Sequence, residues 1–384
     1  MSGLEHNRIE ELMRRALTLA ERGGGKTAPN PMVGCVLADP EGRVLGEGYH
    51  AQAGGPHAEV VALEDAREAA HDVRGAIAIV TLEPCAAHGR TPACTDALSS
   101  AGISSVFYGA RDPAAGRGGE QVLEAAGISV TGDTLGAEAE RLNEAWLHFV
   151  HTNKPFFHMK TAQTLNGRVT LGREGDRWIT GKTARAEVHR LRRLTPAVMV
   201  GVGTVLADDP LLTVREWPPA DHPDRDVAWP DVQPIRIVLD SGLRTPLDSR
   251  LAKSAAETPV WIFCSQSADT SRRQALAAQG VDVIPIVSSD EGVDLDAVAD
   301  TLASRHVTGV LVEPGPTLAT ALVGAGLVDR WTMFLAPDWV ATKGALPLLL
   351  SDPPHNGFRL TRTEWRLHGR DAAVTGLVRS ALGH

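Results

Sequence analysis

The chain is poor in cysteine and in aromatic residues: four Cys, two Tyr, seven Phe and eight Trp among 384 residues. Four cysteines leave no room for a disulfide framework, so a reducing cytoplasm is expected. No apolar run reaches the length of a membrane span. The opening stretch, MSGLEHNRIEELMRRALTLAERG, carries acidic residues and helical periodicity, unlike a secretory signal. Basic clusters are also scarce. Net charge is −9, from 38 basic and 47 acidic residues, and only the stretch from His189 to Arg193 concentrates arginine, at helical spacing. A nucleic-acid binder carries a basic stripe, so neither nucleic acid nor membrane is the expected partner; a small molecule is. The 43% apolar content suffices for sizeable cores, and the length suggests two or three domains.

Against this plain background one constellation stands out. His57-Ala58-Glu59 is followed by Pro84-Cys85 and then Cys94. Zinc takes imidazole and thiolate ligands tetrahedrally, and a catalytic zinc keeps one position open for water. His57, Cys85 and Cys94 make three ligands and leave that position free. Bound zinc makes water nucleophilic near neutral pH, and Glu59 is left over to move protons. Zinc nucleobase deaminases carry H-x-E…P-C-x-x-C. The first half matches here, but eight residues separate the cysteines instead of two. His88 is an alternative fourth ligand, which would make the site structural. Cys35 and Cys264 read as buried apolar residues.

Periodicity places these residues. His57 to Glu68 reads as a helix with Val60, Val61 and Leu63 inward. Ala76 to Leu82 reads as a buried strand ending at Cys85. Strand and helix alternate through residues 1–150, closing on one helix from Ala137 to Val150, so the unit is a sheet covered by helices. His151 to Pro155 reads as a linker, and a second α/β unit spans 155–384. Its strands are expected at Phe156–Lys160, Ala197–Val202, Ile235–Asp240, Val260–Cys264, Val283–Ile286, Gly309–Glu313 and Trp331–Leu335. Its helices are expected at Lys182–Arg193, Ser271–Gln279, Leu295–Ser304 and Leu318–Ala325. Residues 216–231 read as a surface loop. Glu313 to Ala319 follows a strand and opens a helix, which aims N–H groups at an anion. The Gly201 to Arg215 stretch brings Asp208, Asp209 and Arg215 into one polar loop, with a helix cap or turn as the plain alternative.

Taken together, these pieces resemble the bifunctional deaminase–reductase family of riboflavin biosynthesis, over nearly the whole chain. The matching pieces are Pro29–Gly34, Gly46–His50, His57–Glu59, Thr81–Cys85, Gly89–Pro92 and Cys94 in the first half. In the second they are Trp178–Thr180, Thr204–Pro210, Leu212–Arg215, Gly315–Leu318 and Leu327–Asp329. Family members space the two cysteines eight residues apart, as here. The resemblance implies an α/β chain: a cytidine-deaminase-like α/β/α domain, then a dihydrofolate-reductase-like α/β domain. It implies two reactions on one phosphorylated pyrimidine: zinc-dependent hydrolytic deamination, then NADPH reduction of the ribosyl group to ribityl.

It also implies site residues. Glu59 would be catalytic, and Asn30, His50 and Arg90 would hold the deaminase substrate. Lys160, Asp176, Arg192, Leu212, Arg215 and Glu313 would line the reductase pocket. NADPH would meet Ala162, Trp178, Thr204, Asp208, Ser241 and the turn of Gly315, Pro316, Thr317, Leu318, Ala319, Thr320 and Ala321. A homo-oligomer is expected. This chain departs from the family at Ala86-Ala87, Ala93, Asp112–Gly116, Asn166, Asp176 and Pro314; Pro314 removes one N–H beside the turn. The rival readings are a deaminase of another free base and a non-catalytic second half.

Overall fold

A computed structural model describes residues 5–86, 93–113, 118–170, 178–215, 217, 229, 231–289, 292–341, 343–352 and 357–380. The chain divides into two compact units between Asn153 and Lys154.

The first unit runs α1 (His6–Glu21), β1 (Gly34–Ala38), β2 (Val44–Tyr49), α2 (Ala58–Glu68), β3 (Ile77–Leu82), α3 (Cys94–Ser100), β4 (Ser105–Ala110), α4 (Gly119–Ala125), β5 (Ser129–Thr131), α5 (Gly136–Leu142) and α6 (Glu144–Thr152). Its sheet has the order β2-β1-β3-β4-β5. β1 pairs antiparallel with β2 and β3, and β3, β4 and β5 are parallel. Successive residues of β1 serve opposite faces. Val36 and Ala38 pack with Leu12, Met13, Ala16 and Leu19 of α1, while Cys35 and Leu37 pack with Ala58, Ala62 and Ala66 of α2. Helices thus cover both faces.

α2 differs from expectation. Its buried face is Ala58, Glu59, Ala62 and Ala66, and Val60, Val61 and Leu63 are only partly buried. The cause lies across the interface. A Cβ on Gly46 or Gly48 of β2 would collide with the backbone of Ala62 or Ala58. Glycine on the strand and alanine on the helix let the two backbones close up. The bulkier valines and leucine flank this contact.

The expected single closing helix is two helices. They break at Asn143, which is 2% exposed. Its side-chain oxygen accepts the Met32 N–H and its amide donates to the Met32 carbonyl, both at 2.8 Å. Satisfying those two partly buried backbone groups outweighs helix continuity. α6 also continues to Thr152, so the first two residues of the expected linker, His151 and Thr152, are helix.

The second unit contains β6 (Phe156–Thr164), α7 (Lys182–Leu194), β7 (Ala197–Gly201), α8 (Val202–Asp208), β8 (Ile235–Leu239), α9 (Arg250–Lys253), β9 (Val260–Ser265), α10 (Thr270–Ala277), β10 (Asp282–Ile286), the short pair β11 (Ser288–Ser289) and β12 (Gly292–Val293), α11 (Leu295–Ser304), β13 (Gly309–Val312), α12 (Pro316–Gly324), β14 (Arg330–Ala336), β15 (Phe358–His368) and β16 (Asp371–Ser380). The main sheet has nine strands, ordered β10-β9-β8-β7-β13-β6-β14-β16-β15. β10 through β14 in that order are parallel, and β16 and β15 add an antiparallel hairpin.

Four features here were not expected: α8, α9, the short β11–β12 pair and the β15–β16 hairpin. α8 starts where a strand was extended through Val202. Gly201 caps α8, and Asp209, at φ 41°, ends it in the left-handed region. Asp209 then accepts the Arg250 N–H that opens α9, at 2.8 Å, so half of the Asp208-Asp209 pair is a structural cap. Of the expected 216–231 loop, only Trp217, Trp229 and Asp231 lie within the described residues. β13 sits between β7 and β6, although β6 and β7 are consecutive in sequence. Such a switch in strand order opens a crevice at the carboxyl ends of parallel strands.

Candidate active sites

In the first unit, the Glu83 N–H bonds the Ala110 carbonyl beyond the end of β3, and the chain then leaves the sheet at Cys85. The Thr95 N–H in the first turn of α3 bonds the Cys85 carbonyl at 3.2 Å, tying the two cysteines' segments together. His57 occupies the N-cap of α2. Its Nδ1 lies 3.1 Å from Cys94 Sγ and 3.5 Å from Cys85 Sγ. All three ligand atoms fall within 4.8 Å of one another, and no other such group of three His, Cys, Asp or Glu occurs among the described residues.

Electrostatics shows what this cluster requires. A hydrogen from the Cys94 thiol, together with nearby His57, pulls Cys85 down to about 4. The same pairing and burial push Cys94 well up. The protein alone therefore favours a single thiolate. A second thiolate would face the first, and Glu59, at short range in a buried site, a like-charge arrangement that a divalent cation cancels. Two soft sulfurs and one imidazole nitrogen suit zinc. Glu59, in the first turn of α2 and 3% exposed, is pushed up by burial.

Asn30 and His50 stand beside this cluster. The His50 ring lies edge-on to His57, with centroids 5.7 Å apart. His50 Nδ1–H donates to the Pro56 carbonyl at 2.9 Å. That leaves Nε2 to accept from Asn30 Nδ2 at 3.2 Å, which assigns the neutral tautomer. Burial lowers the His50 pKa and favours the same form. Arg90 and His88 lie outside the described residues. Cys35 and Cys264 are buried in apolar clusters, as expected. Sequence reasoning passed over Glu83, whose carboxylate accepts the Glu120 N–H in the first turn of α4 at 3.1 Å.

In the second unit, Glu313 follows β13 and lies 2.6 Å from Arg192 Nε and 3.5 Å from Lys160 Nζ. Arg192 also donates to the Thr213 carbonyl at 3.0 Å. Burial opposes the charge on Glu313, but Arg192 and then Lys160 hold it down to about 2. Burial lowers Lys160 against the pull of Glu313. Leu212 is buried at φ 55°, and the Arg215 N–H donates to His189 Nδ1 at 3.3 Å. The fold thus gathers Lys160, Arg192, Leu212, Arg215 and Glu313 into one neighbourhood; His189, one turn before Arg192 on α7, was not expected there. Asp176 lies outside the described residues.

The residues expected to meet a cofactor spread around the same strand ends. Gly315 caps α12, with Pro316 in its first turn. A Cβ on Gly315 would come 3.6 Å from Thr204 Oγ1, so α8 and α12 begin side by side. The Ala319 N–H already bonds the Gly315 carbonyl. Thr320 and Ala321 lie deeper in the helix, so donors free to meet an anion narrow to Gly315, Thr317 and Leu318. Leu318 and Ala319 turn their side chains into the core, and the Thr320 hydroxyl accepts the Leu350 N–H at 2.9 Å. Trp178 is 60% exposed, with the Arg185 guanidinium 4.6 Å above its ring. Ala162 is on β6, Asp208 ends α8, and Ser241 follows β8 with its carbonyl accepting the Ser265 N–H. Free helix-end donors at α12 and an exposed aromatic ring under the Arg185 guanidinium fit a phosphorylated, ring-bearing cofactor.

Residues 155–374 match the RibD C-terminal domain, and residues 6–110 match the cytidine and deoxycytidylate deaminase zinc-binding region. The chain is 40% identical over 365 residues to the riboflavin biosynthesis protein RibD of Escherichia coli, covering 92% of this chain and 96% of that protein. The chain belongs to the RibD family. RibD of Actinobacillus pleuropneumoniae is also 40% identical, over 338 residues, covering 87% of this chain and 85% of its own. The solved structure of RibD from Acinetobacter baumannii superposes with a TM-score of 0.79 at 32% identity, covering 98% of this chain and all (100%) of that one. The diaminohydroxyphosphoribosylaminopyrimidine deaminase/5-amino-6-(5-phosphoribosylamino)uracil reductase of Thermotoga maritima does so at 0.79 and 33%, covering 98% and 99%. Like other RibD proteins, this one is a bifunctional deaminase and reductase of riboflavin biosynthesis. Its cofactors are zinc in the deaminase half and NADPH in the reductase half. The rival readings of the second half therefore fall away. Among the described residues, no helix is long and apolar enough to cross a membrane.

Proposed function

We propose that residues 1–150 deaminate 2,5-diamino-6-ribosylamino-4(3H)-pyrimidinone 5′-phosphate, and that residues 155–384 then reduce its ribosyl group to ribityl. The observation that carries the deaminase assignment is the convergence of His57, Cys85 and Cys94 within 4.8 Å, beside buried Glu59. His57 and the two cysteines hold the metal. Zinc there supplies the Lewis acidity that makes water a nucleophile at neutral pH, and NADPH supplies the reducing equivalent in the second half.

Glu59 does the proton work. Its carboxylate takes one proton from the attacking water and passes it to the ring nitrogen, then takes the remaining hydroxyl proton and passes it to the amino group, which leaves as ammonia while the carbonyl forms. Burial raises its affinity for that proton between transfers. Neutral His50 and Asn30 present polar atoms to the pyrimidine edge, and Arg90 pairs with the phosphate.

In the reductase, Lys160, Arg192 and Arg215 provide cationic and donor groups for the phosphoribosyl part. Glu313 keeps the first two charged and aligned. Leu212 walls the pocket, and Asp176 belongs to the same lining. Gly315, Thr317 and Leu318 offer N–H groups to a cofactor phosphate, while Trp178, Ala162, Thr204, Asp208 and Ser241 line its path. Assembly into a homo-oligomer in the cytoplasm is part of this reading, and light scattering of the purified protein checks the assembly. The decisive assay is ammonia release from the diaminopyrimidinone phosphate, followed by NADPH oxidation when the deaminated product is supplied. Failure of the first step with zinc-loaded protein would overturn the substrate assignment.

A further inference from the structure

The loop from Asp209 to Arg215 carries two residues of the reductase pocket, yet its backbone is held almost entirely from outside. Leu212 sits at φ 55°, a conformation that disfavours leucine and persists only where surroundings enforce it. Asp209 is tied to the Arg250 N–H. The Leu211 carbonyl accepts from the fully buried Arg236 at 3.3 Å, and that guanidinium also grips Ser254 and the Thr258 carbonyl. The Thr213 carbonyl accepts from Arg192, and the Arg215 N–H donates to His189.

Between Thr213 and Arg215, one side chain stands in for a neighbouring strand. The Val214 N–H donates to Gln233 Oε1 at 2.8 Å, and the Val214 carbonyl accepts from Gln233 Nε2 at 3.1 Å. The same Nε2 donates its other hydrogen to Asp231 Oδ1 at 3.1 Å. Only one orientation of the amide satisfies all three bonds. Two bonds to one residue fix both the distance and the twist of its peptide planes, which a single bond does not. The planes flanking Val214 carry the Thr213 carbonyl that Arg192 grips and the Arg215 N–H.

We propose that Gln233 is a positioning residue of the reductase site: its amide sets the 213–215 backbone so that Arg192 and Arg215 meet the pyrimidine substrate. This rests on the reading that Leu212 and Arg215 line that pocket. Gln233 touches no reacting group, and it belongs to none of the motifs that mark the family in this sequence. It is half-buried, so its role is separable from core stability.

The test uses the full-length, zinc-loaded protein with NADPH. Gln233→Met keeps length and volume but breaks both bonds to Val214. The expected result is a rise in reductase KM for the deaminated pyrimidine on the order of ten-fold, the worth of one to two net hydrogen bonds. KM for NADPH, reductase kcat and ammonia release stay within about two-fold of wild type, since only substrate binding is loosened. Gln233→Glu keeps the acceptor for the Val214 N–H but turns a carboxylate onto the Val214 carbonyl and Asp231, and raises the same KM. Arg215→Ala is run alongside. If it raises KM while both Gln233 variants leave KM unchanged, the positioning role is wrong and the pocket reading survives. If Arg215→Ala also leaves KM unchanged, the pocket reading fails and takes this inference with it. Equal losses in kcat, NADPH KM and ammonia release would mean general damage and would overturn the proposal.

Discussion

The two candidate sites are built in opposite ways. The deaminase cluster joins residues from a helix cap, a strand end and a helix start, and its longest ligand pair, His57 to Cys94, spans 37 positions. Its donors are rare residue types whose chemistry identifies them. The reductase cluster joins β6, α7, a loop and β13, and its central pair, Arg192 to Glu313, spans 121 positions. Its members are common residue types that elsewhere in the chain form surface ion pairs. The first site is defined by what its atoms can bind. The second is defined by where the sheet puts ordinary charges and by the burial that strengthens their interaction.

If this contrast holds, removing the metal should separate the halves completely. Cys94→Ser, or chelation of the wild type, is expected to abolish zinc content and ammonia release. NADPH oxidation with the deaminated substrate should continue. Loss of both activities together would break the contrast. Next in size, Glu59→Gln is expected to retain zinc by metal analysis while deamination falls by about 10²–10⁴-fold, the usual span for a proton-transfer group. Substantial residual ammonia release would refute the proton role.

The reductase cluster should respond through stability as well as activity. Glu313→Gln leaves the largely buried Arg192 and Lys160 without a compensating charge, and about 3 kcal/mol of stability is expected to go with it. The sign with pH follows from linkage. The folded-state pKa of Glu313 is about 2, below its ordinary 4.5. Its stabilisation is therefore full above about pH 4.5 and fades as pH falls towards 2. The gap between the thermal midpoints of wild type and Glu313→Gln should be constant from pH 7 to about pH 4.5 and narrow from there to pH 3; a gap that stays constant to pH 3 would count against the ion pair. The smallest expected effect returns to the first unit. Gly48→Ala forces α2 away from β2, at a cost of about 1–3 kcal/mol. Because α2 carries His57 and Glu59, zinc affinity should weaken with it, which a competitive chelator titration measures.

Legibility in the sequence followed the same division. His57, Glu59, Cys85 and Cys94 could be named from residue type and spacing because zinc chemistry admits few ligands, and the structure brings the three ligands together. Strands such as β2 and helices such as α11 were readable because their periodicity is strong. The inward face of α2 was not, because alanine carries little hydrophobic signal, and its burial follows from the glycines of β2 across the interface. The break at Asn143 was equally hidden, since it answers Met32, 111 positions away. In β15, charged and polar residues interrupt the apolar ones along an edge strand, so the hairpin gave no clear signal.

What the sequence alone determined is the metal chemistry, the two-part α/β order and the resemblance that leads to the RibD family, because each depends on residue identity at short range. What only the tertiary structure decided is which ordinary residues become functional. Glu313 becomes a strongly depressed carboxylate, and Gln233 becomes the partner of Val214. Those roles arise from burial and from contacts between distant segments, and these exist only once the second unit has folded around its nine-stranded sheet.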